Sequence, residues 1–218
     1  MTPLIPNRSL MDFELPLGYR RRPPRLGGHL GDFSSEHLLP PLCELDGQAP
    51  FAEVYACWNE AGLYMGYRIA GKTRRPTCDP KAYWKSDALR WCVHLRDARN
   101  IKRADRYCQA FYALPRGGGR GGGEPVAASH KIQRAREDAP AIPPGVLPVA
   151  SRVSDEGYTV ELHLPADRLS GFDPVDHPRI GFYYMIEDGE HGQQALTVGD
   201  DLYWYVDPST WATAVLVR

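Results

Sequence analysis

The C-terminal third of the chain contains two segments in which apolar and polar residues alternate. The first spans Gly157–Pro165 and the second spans Arg179–Asp188, and Gly, Pro or Asp residues bound both of them. A two-residue period places successive side chains on opposite faces, which is typical of a half-buried β-strand. Phe51–Trp58 and Leu63–Ala70 follow the same rule on either side of a turn containing Gly62, and together they predict a hairpin.

Another strand is predicted over Ala88–Leu95, and its two faces differ in chemistry. The apolar residues of this segment share one face, whereas Arg90, Cys92 and His94 share the other. We expect the apolar face in the core and the polar face to be exposed or functional. Further strands are predicted over Arg106–Leu114, Val149–Val153, Ala195–Val198, Leu202–Val206 and Ala212–Val217. So many short strands predict an all-β fold, an antiparallel β-sandwich of the immunoglobulin or jelly-roll type with few short helical turns.

Residues 1–50 differ from the rest of the chain because they are rich in Pro and Arg and lack a regular apolar period. We predict that residues 1–50 form an irregular N-terminal arm packed on a single β-sandwich domain over residues 51–218. The basic run Arg20–Arg25 is interpreted as solvated surface. Gly117–Gly123 lacks the Gly-Lys-Ser/Thr ending of a phosphate-binding loop, so we interpret it as a flexible excursion.

Composition narrows the range of partners. The chain has 218 residues and a formal net charge of −1, which gives no electrostatic reason to expect nucleic acid or a membrane as a partner. No segment approaches the length of a membrane-spanning helix, and the first eight residues lack the apolar stretch of a secretory signal. We therefore expect a cytoplasmic protein. The five cysteines are widely spaced and odd in number, so they predict neither a disulfide framework nor a zinc site.

Five short motifs follow one another along the chain. They are Leu63–Met65, Trp84–Arg90, Gly157–Glu161 followed by Leu164 and Pro165, Ile180–Phe182 followed by Asp188, and Asp207–Trp211. In this order they resemble family-9 carbohydrate-binding modules and their DOMON-like relatives. The resemblance covers roughly residues 51–218, and it implies an antiparallel β-sandwich that binds a saccharide or a related polar small molecule without catalysing a reaction, with a possible link to carbohydrate catabolism.

The resemblance also implies where the ligand binds, since these modules hold a terminal sugar between two tryptophans. The C–H faces of a sugar stack on aromatic rings, while polar side chains bond its hydroxyls. We therefore predict that Trp84 and Trp204 stack on the ligand, with Trp211 as an alternative to Trp204. Lys85 and Arg90 are predicted to bond the ligand oxygens.

Arg90 departs from the family pattern. Where the family has Asp-x-Val-Glu, this chain has Asp87-Ala88-Leu89-Arg90, so a group that only donates hydrogen bonds replaces an acceptor. Two interpretations remain. Arg90 could favour an anionic ligand such as a uronic acid or a phosphorylated sugar, or it could pair with Glu161 on a neighbouring strand, as opposite charges often do across a sheet. We expect the second.

The remaining polar residues give no motif for catalysis. Glu161, Glu187 and Asp188 are carboxylates of the kind that a glycosidase uses as an acid and base pair. Strands and turns carry such residues routinely, so we expect no catalytic residues and no enzymatic activity. An alternative function is an interaction or scaffold domain that keeps the sandwich, has lost the sugar site and binds a protein partner.

Candidate ligands for a cofactor or a metal ion are identified by residue type alone. The histidines show no metal-binding spacing, so no metal site is predicted from side chains. Some DOMON-like relatives bind haem, and the side chains that could serve as axial ligands here are Met65, Met185, His94 and His163. A structural calcium ion could bind Asp200, Asp201 and Asp207, although a turn rich in Asp explains these residues equally well.

Overall fold

The structure is a computed structural model that describes residues 6–218; residues 1–5 of the predicted arm lie outside the described part. It contains β-strands joined by loops and short 3-10 turns. The strands are β1 (Glu14–Tyr19), β2 (Ala52–Asn59), β3 (Gly62–Ala70), β4 (Ala88–His94), β5 (Cys108–Gly118), β6 (Glu124–His130), β7 (Val149–Val153), β8 (Gly157–Pro165), β9 (Arg179–Asp188), β10 (Gly192–Ala195) and β11 (Ala212–Val217). The 3-10 turns are Asn7–Leu10, Ser35–His37, Leu42–Asp46, Pro80–Lys85, Ala166–Arg168, Asp200–Leu202 and Pro208–Thr210.

The strands form one continuous hydrogen-bonded path. Their order is β6-β5-β4-β9-β11-β1-β2-β3-β8-β7, and β10 pairs with β9. The two ends of the path approach each other: Ser151 Oγ on the terminal strand β7 donates a hydrogen bond of 2.6 Å to the carbonyl of Pro115 on β5, the neighbour of the other terminal strand, β6. The sheet is therefore nearly closed on itself, and the predicted all-β sandwich is confirmed.

The core fills the space enclosed by this folded sheet. Trp91, Phe111 and Phe182 contribute from β4, β5 and β9, and Met65 and Leu162 contribute from β3 and β8; each is fully buried. Burial of such side chains stabilises the fold by roughly 1.5–3 kcal/mol each before entropy is subtracted. Within residues 6–218, no helix is long and apolar enough to span a bilayer.

Most predicted strands are present, and the exceptions are informative. The predicted hairpin is confirmed as β2 and β3, whose register runs from Ala52 opposite Ile69 to Asn59 opposite Gly62. The strand predicted over Leu202–Val206 is wrong, because this segment forms a 3-10 turn and a turn. Gly117–Gly123 is also more ordered than predicted, since it ends the hairpin between β5 and β6.

The N-terminal segment contains a strand that the sequence pattern did not predict. β1 lies between β11 and β2 and runs parallel to both, so the sheet is not purely antiparallel. Leu15 and Leu17 point into the core and are buried. The segment described as an irregular arm therefore supplies a central strand, and only its remaining residues are loops and short turns.

Glu161 on β8 binds the part of the N-terminal segment that follows β1. Its carboxylate accepts hydrogen bonds of 2.6 Å from the backbone N–H groups of Gly27, Gly28 and Leu30, and the residue is fully buried. Gly28 has φ of +74°, and a Cβ there would lie 2.6 Å from the carbonyl carbon of Ser151. Only glycine allows the chain to approach β7 and surround the carboxylate in this way.

A second buried carboxylate belongs to Asp188 at the end of β9. Its Oδ2 lies 2.5 Å from Nζ of Lys72, and both side chains are almost completely buried. Backbone N–H groups of Glu190 and His191 donate to Oδ1. Burial alone would raise the pKa of Asp188, but the bonds from Lys72 and from these backbone groups lower it below the ordinary value.

Candidate ligand-binding face

Arg90 lies on one face of strands β6, β5, β4 and β9, where it contacts two of the other predicted ligand-binding residues, Trp84 and Trp204. The register places Ala128, Tyr112, Arg90 and Met185 side by side across these four strands. We call this surface the site face; the opposite side of the same strands carries core residues such as Trp91. The prediction that Arg90, Cys92 and His94 share a face is thus consistent with the register, but all three are buried rather than exposed. Two loop segments cover the site face around Arg90, whereas His94 contacts Ala98 and Asp105 of the loop that follows β4.

The first covering segment is the 3-10 turn Pro80–Lys85, which leads into β4. Asp79 begins it by accepting a hydrogen bond from the backbone N–H of Lys81. Tyr83 lies flat on Tyr112 of β5, with ring centroids 4.2 Å apart and an interplanar angle of 8°. This stack fixes the segment on the sheet and leaves the next residue, Trp84, 50% exposed. Lys85 is also exposed.

The second covering segment contains the Asp200–Leu202 turn and the residues after it. Trp204 stacks on Tyr183 of β9 at 4.7 Å and is fully buried. Its indole N–H donates to Asp200, and its carbonyl accepts the indole N–H of Trp211, which is 3% exposed. The expectation that Trp204 or Trp211 offers an open stacking face is therefore corrected: both rings are part of the packing that closes the site face.

Arg90 lies between the two covering segments. Its Nη2 lies 3.3 Å from the carbonyl of Trp84 and donates to a carboxylate oxygen of Glu187 on β9. The guanidinium carbon lies 5.5 Å from the centroid of the Trp204 ring, within the range of a cation–π contact. The expected pairing with Glu161 is wrong, because Glu161 is on β8 in the other half of the sandwich and bonds the N-terminal segment instead.

Arg90 thereby links the backbone of exposed Trp84 to the ring of buried Trp204. The residue after Trp204 is a second exposed aromatic residue. Tyr205 is 37% exposed and packs edge-on against Trp204, and Tyr203 is 61% exposed. Trp84 and these two tyrosines are exposed; Arg90 contacts the Trp84 carbonyl and the ring of Trp204, the residue between the two tyrosines in the chain. Sequence reasoning missed both tyrosines; the signal was the run Tyr203-Trp204-Tyr205, in which one buried ring is flanked by two outward ones.

His130 of β6 occupies the edge of the site face. Its ring lies 5.2 Å from that of Tyr83, and Nδ1 lies 3.3 Å from the carbonyl of Lys131, which assigns the ring proton to Nδ1. Burial, with a further contribution from the charge of Arg90, lowers the pKa of His130 to about 4. His130 is therefore neutral at pH 7 and adds no charge to the site.

The three carboxylates considered for glycosidase chemistry have different environments. Glu161 and Asp188 are buried, and both are held by backbone N–H groups in the interactions described above. Glu187 belongs to the site face and is held by Arg90, with its side chain 26% exposed. Two of the three are thus structural groups.

Within residues 6–218, one group of potential metal ligands converges. The ligand atoms of His94, Asp105 and Cys108 all lie within 4.8 Å of one another. Nδ1 of His94 accepts a hydrogen bond from the backbone N–H of Ala98, so the neutral ring carries its proton on Nε2, the nitrogen that faces Asp105 at 3.5 Å. Burial raises the pKa of the Cys108 thiol to about 12. A ring whose Nδ1 accepts from the backbone and whose Nε2 carries the proton has no free nitrogen to offer a metal ion, so this arrangement fits a polar cluster.

The residues suggested for calcium and haem have other partners. Asp200 accepts from the Trp204 indole and from Gln193, and Asp207 caps the Pro208–Thr210 turn by accepting from Ser209. In the described part of the chain these carboxylates do not converge, so they do not fit a calcium cage. Met65 is enclosed in the core, Met185 is buried on the site face beside Arg90, and His163 stacks on Tyr64 at 4.2 Å.

The fold is that of known carbohydrate-binding structures. A family-9 carbohydrate-binding module from Caldicellulosiruptor kristjanssonii in complex with cellotriose covers 93% of this chain and 93% of its own, with a TM-score of 0.62 and 10% identity. A family-9 module from the same organism in complex with glucose covers 94% of this chain and 96% of its own, with a TM-score of 0.63 and 11% identity. A protein from Bacteroides uniformis ATCC 8492 that is proposed to bind carbohydrate covers 94% and 99%, with a TM-score of 0.57 and 9% identity.

No family model matches the chain, and no curated protein matches it. The likeness to the solved structures lies at 9–11% identity, so it establishes the fold, and the resemblance of the five motifs to family-9 modules is confirmed at that level.

Proposed function

We propose that this chain is a non-catalytic carbohydrate-binding domain and that its saccharide ligand stacks on Trp84. The observation that carries the proposal is the half-exposed indole of Trp84, fixed by the Tyr83–Tyr112 stack beside the buried polar group Arg90. A rigid aromatic face next to fixed polar groups is the chemistry that binds sugars. The likeness to folds that bind cellotriose and glucose supports it.

The proposed binding surface differs from a clamp of two tryptophans. Trp84 supplies one stacking face, and Tyr205 or Tyr203 supplies the second, since Trp204 is buried beneath them. Lys85 is exposed beside Trp84 and donates to ligand oxygens at the rim. Arg90 holds both covering segments in place and thus positions the aromatic groups.

Tryptophan fluorescence tests the proposal sharply. The chain has five tryptophans, and four of them, Trp58, Trp91, Trp204 and Trp211, are buried. A saccharide stacking on the surface should therefore change the emission of Trp84 and protect it from acrylamide quenching. We expect a saturable response to a panel of mono- and oligosaccharides, loss of it in Trp84→Ala, and wild-type binding in the control Val175→Ala, which changes an exposed residue of another loop.

The burial of Trp204 favours a second function on the same surface, which is docking of a protein partner. With one exposed indole instead of two, a sugar has a smaller stacking area. If a folded protein gives a flat response across the whole saccharide panel, the carbohydrate proposal is wrong, and the protein-docking alternative takes its place.

A further inference from the structure

A cavity at the edge of the site face is separate from the surface around Trp84, which does not line it. The cavity has a volume of about 160 Å³ and is lined by residues of β5, of β6 and of the loop 131–141. Cys108 and Ala110 of β5 line it and share a face with Tyr112, because side chains alternate along a strand. Their side chains are small, so they leave space above the sheet.

The loop that forms the outer wall of the cavity is held in place by hydrogen bonds. The backbone N–H of Ile142 donates to Oγ of Ser129 at 2.6 Å, and the carbonyl of Ile142 accepts the N–H of Ser129. In the middle of the loop, the N–H of Arg136 donates to the carbonyl of Ala104 at 2.7 Å. The loop is therefore tied both to β6 and to the connection between β4 and β5, so the cavity is formed without a ligand.

One buried polar atom distinguishes the lining of this cavity. The side chains of Gln109 and Ser129 are hydrogen-bonded to backbone groups. In contrast, Nε2 of His130 is buried and has no hydrogen-bond partner among the described residues. Since the ring proton is on Nδ1, which faces the carbonyl of Lys131, Nε2 is an acceptor. A buried acceptor without a donor is costly, and a ligand that donates one hydrogen bond would remove that cost.

The inner part of the cavity is uncharged. Burial lowers the pKa of His130 to about 4 and raises that of the Cys108 thiol to about 12, so both groups are neutral at pH 7. The charged lining residues are at the rim, where Lys131 and Asp138 form an exposed ion pair of 2.7 Å and Glu137 is exposed. Glu137 would repel an anion, so the cavity is suited to a neutral molecule.

We propose that this cavity is a second ligand site, which takes a compact, uncharged and mostly apolar molecule whose single hydroxyl donates to Nε2 of His130. A cavity of about 150 Å³ accommodates one benzene ring, so the size fits a phenol or an alcohol of similar bulk. Alanine, proline and isoleucine side chains supply most of the remaining lining, and the apolar body of the ligand would be buried against them. This ligand class differs from the hydroxyl-rich saccharide proposed for Trp84.

Phenol and toluene are matched probes for the test, because they have nearly the same shape and only phenol donates a hydrogen bond. Each is titrated into the full chain with isotope-labelled histidine rings, and NMR follows both the ligand and the ring nitrogens. We expect phenol to bind saturably and to shift Nε2 of His130, whereas toluene leaves Nε2 unchanged. In His130→Phe the ratio of phenol affinity to toluene affinity should fall roughly tenfold, as expected for loss of one buried hydrogen bond. The control His29→Phe removes an exposed histidine and should keep the wild-type ratio.

Ala110→Leu supplies a second variant, which leaves His130 in place. The larger side chain should occupy the cavity and abolish binding of both probes, and thermal unfolding checks that the variant is folded. If the wild type binds neither probe, or if a folded Ala110→Leu binds both as the wild type does, the site is overturned. An unchanged affinity ratio in His130→Phe overturns the role of Nε2 and the proposed ligand class. Saccharide binding at Trp84 does not depend on any of these results.

Discussion

Glu161 and Glu187 are two glutamates on strands of one sandwich, and they differ in whether a carboxylate oxygen is left free to accept another hydrogen bond. Glu161 is fully buried and accepts from three backbone N–H groups of the N-terminal segment. Glu187 is partly exposed and is held by Arg90 through one oxygen. A saturated carboxylate stabilises the architecture, whereas one with an open oxygen remains available to a ligand. We call a polar group closed when the protein uses all its hydrogen-bonding capacity, and open when an acceptor oxygen is left free. The comparison predicts that closed groups contribute to stability and that the open group contributes to ligand binding.

The largest effect is expected at the most enclosed ion pair. Lys72→Met leaves the buried Asp188 carboxylate without its cation, and such a change costs about 3–5 kcal/mol of unfolding free energy. Urea unfolding measures it. The exposed pair between Arg75 and Asp155 supplies the control, and Arg75→Met should change stability by less than about 1 kcal/mol. Equal effects of the two substitutions would contradict the distinction between closed and open groups.

The same pair predicts a pH dependence. The pKa of Asp188 is lowered in the folded chain, so its contribution is present above the ordinary aspartate pKa and is lost as pH falls through the folded value. Acid unfolding of the wild type should therefore be steeper below pH 4 than that of Lys72→Met.

His130 lies on the site face, and the pH dependence of stability tests whether every polar group on that face is open. Its pKa is lowered to about 4, so the unfolded chain binds more protons than the folded one between about pH 6.5 and 4. Stability should fall across this window by up to about 3 kcal/mol, and His130→Phe should remove that part of the loss. Chemical unfolding at several pH values measures it. The exposed His29 supplies the control, because His29→Phe should keep the acid sensitivity.

Glu161→Gln should destabilise the fold by about 1–3 kcal/mol, because the amide replaces one acceptor oxygen with a donor that faces backbone N–H groups. Hydrogen exchange should show the loss concentrated in residues 26–30. The matched change Glu53→Gln, at an exposed glutamate, should leave this segment protected. Uniform exchange across the whole chain would argue against a local role for Glu161.

The smallest stability effect is expected at the open group. Glu187→Gln should change the unfolding free energy by at most about 1 kcal/mol, which corresponds to a shift of melting temperature of about 2–4 °C at this chain length. Differential scanning calorimetry measures it. A loss as large as that of Lys72→Met would show that Glu187 is a closed structural group like Asp188.

The sequence pattern was sufficient to predict a strand wherever the prediction depends only on the alternation of residues within that strand. The alternation in Leu63–Ala70 and Gly157–Pro165 predicted β3 and β8 nearly to the residue, because the side-chain period of a strand is a local property. The same pattern at β4 predicted which residues share a face but not their burial. One face lies in the core, and the other is covered around Arg90 by residues 80–85 and 200–211. For the same reason, the exposed Trp84 and the buried Trp204 were indistinguishable in the sequence.

By itself, the sequence determined most of the strands, the all-β class and the residue types available for a polar, aromatic site. Only the tertiary structure decided that Glu14–Tyr19 lies at the centre of the sheet, that Arg90 pairs with Glu187 rather than Glu161, and that Tyr203 and Tyr205 are exposed beside Trp204. Strand periodicity is set by neighbouring residues, whereas pairing, burial and charge neutralisation depend on which distant segments meet, and residue spacing along the chain does not encode that meeting directly.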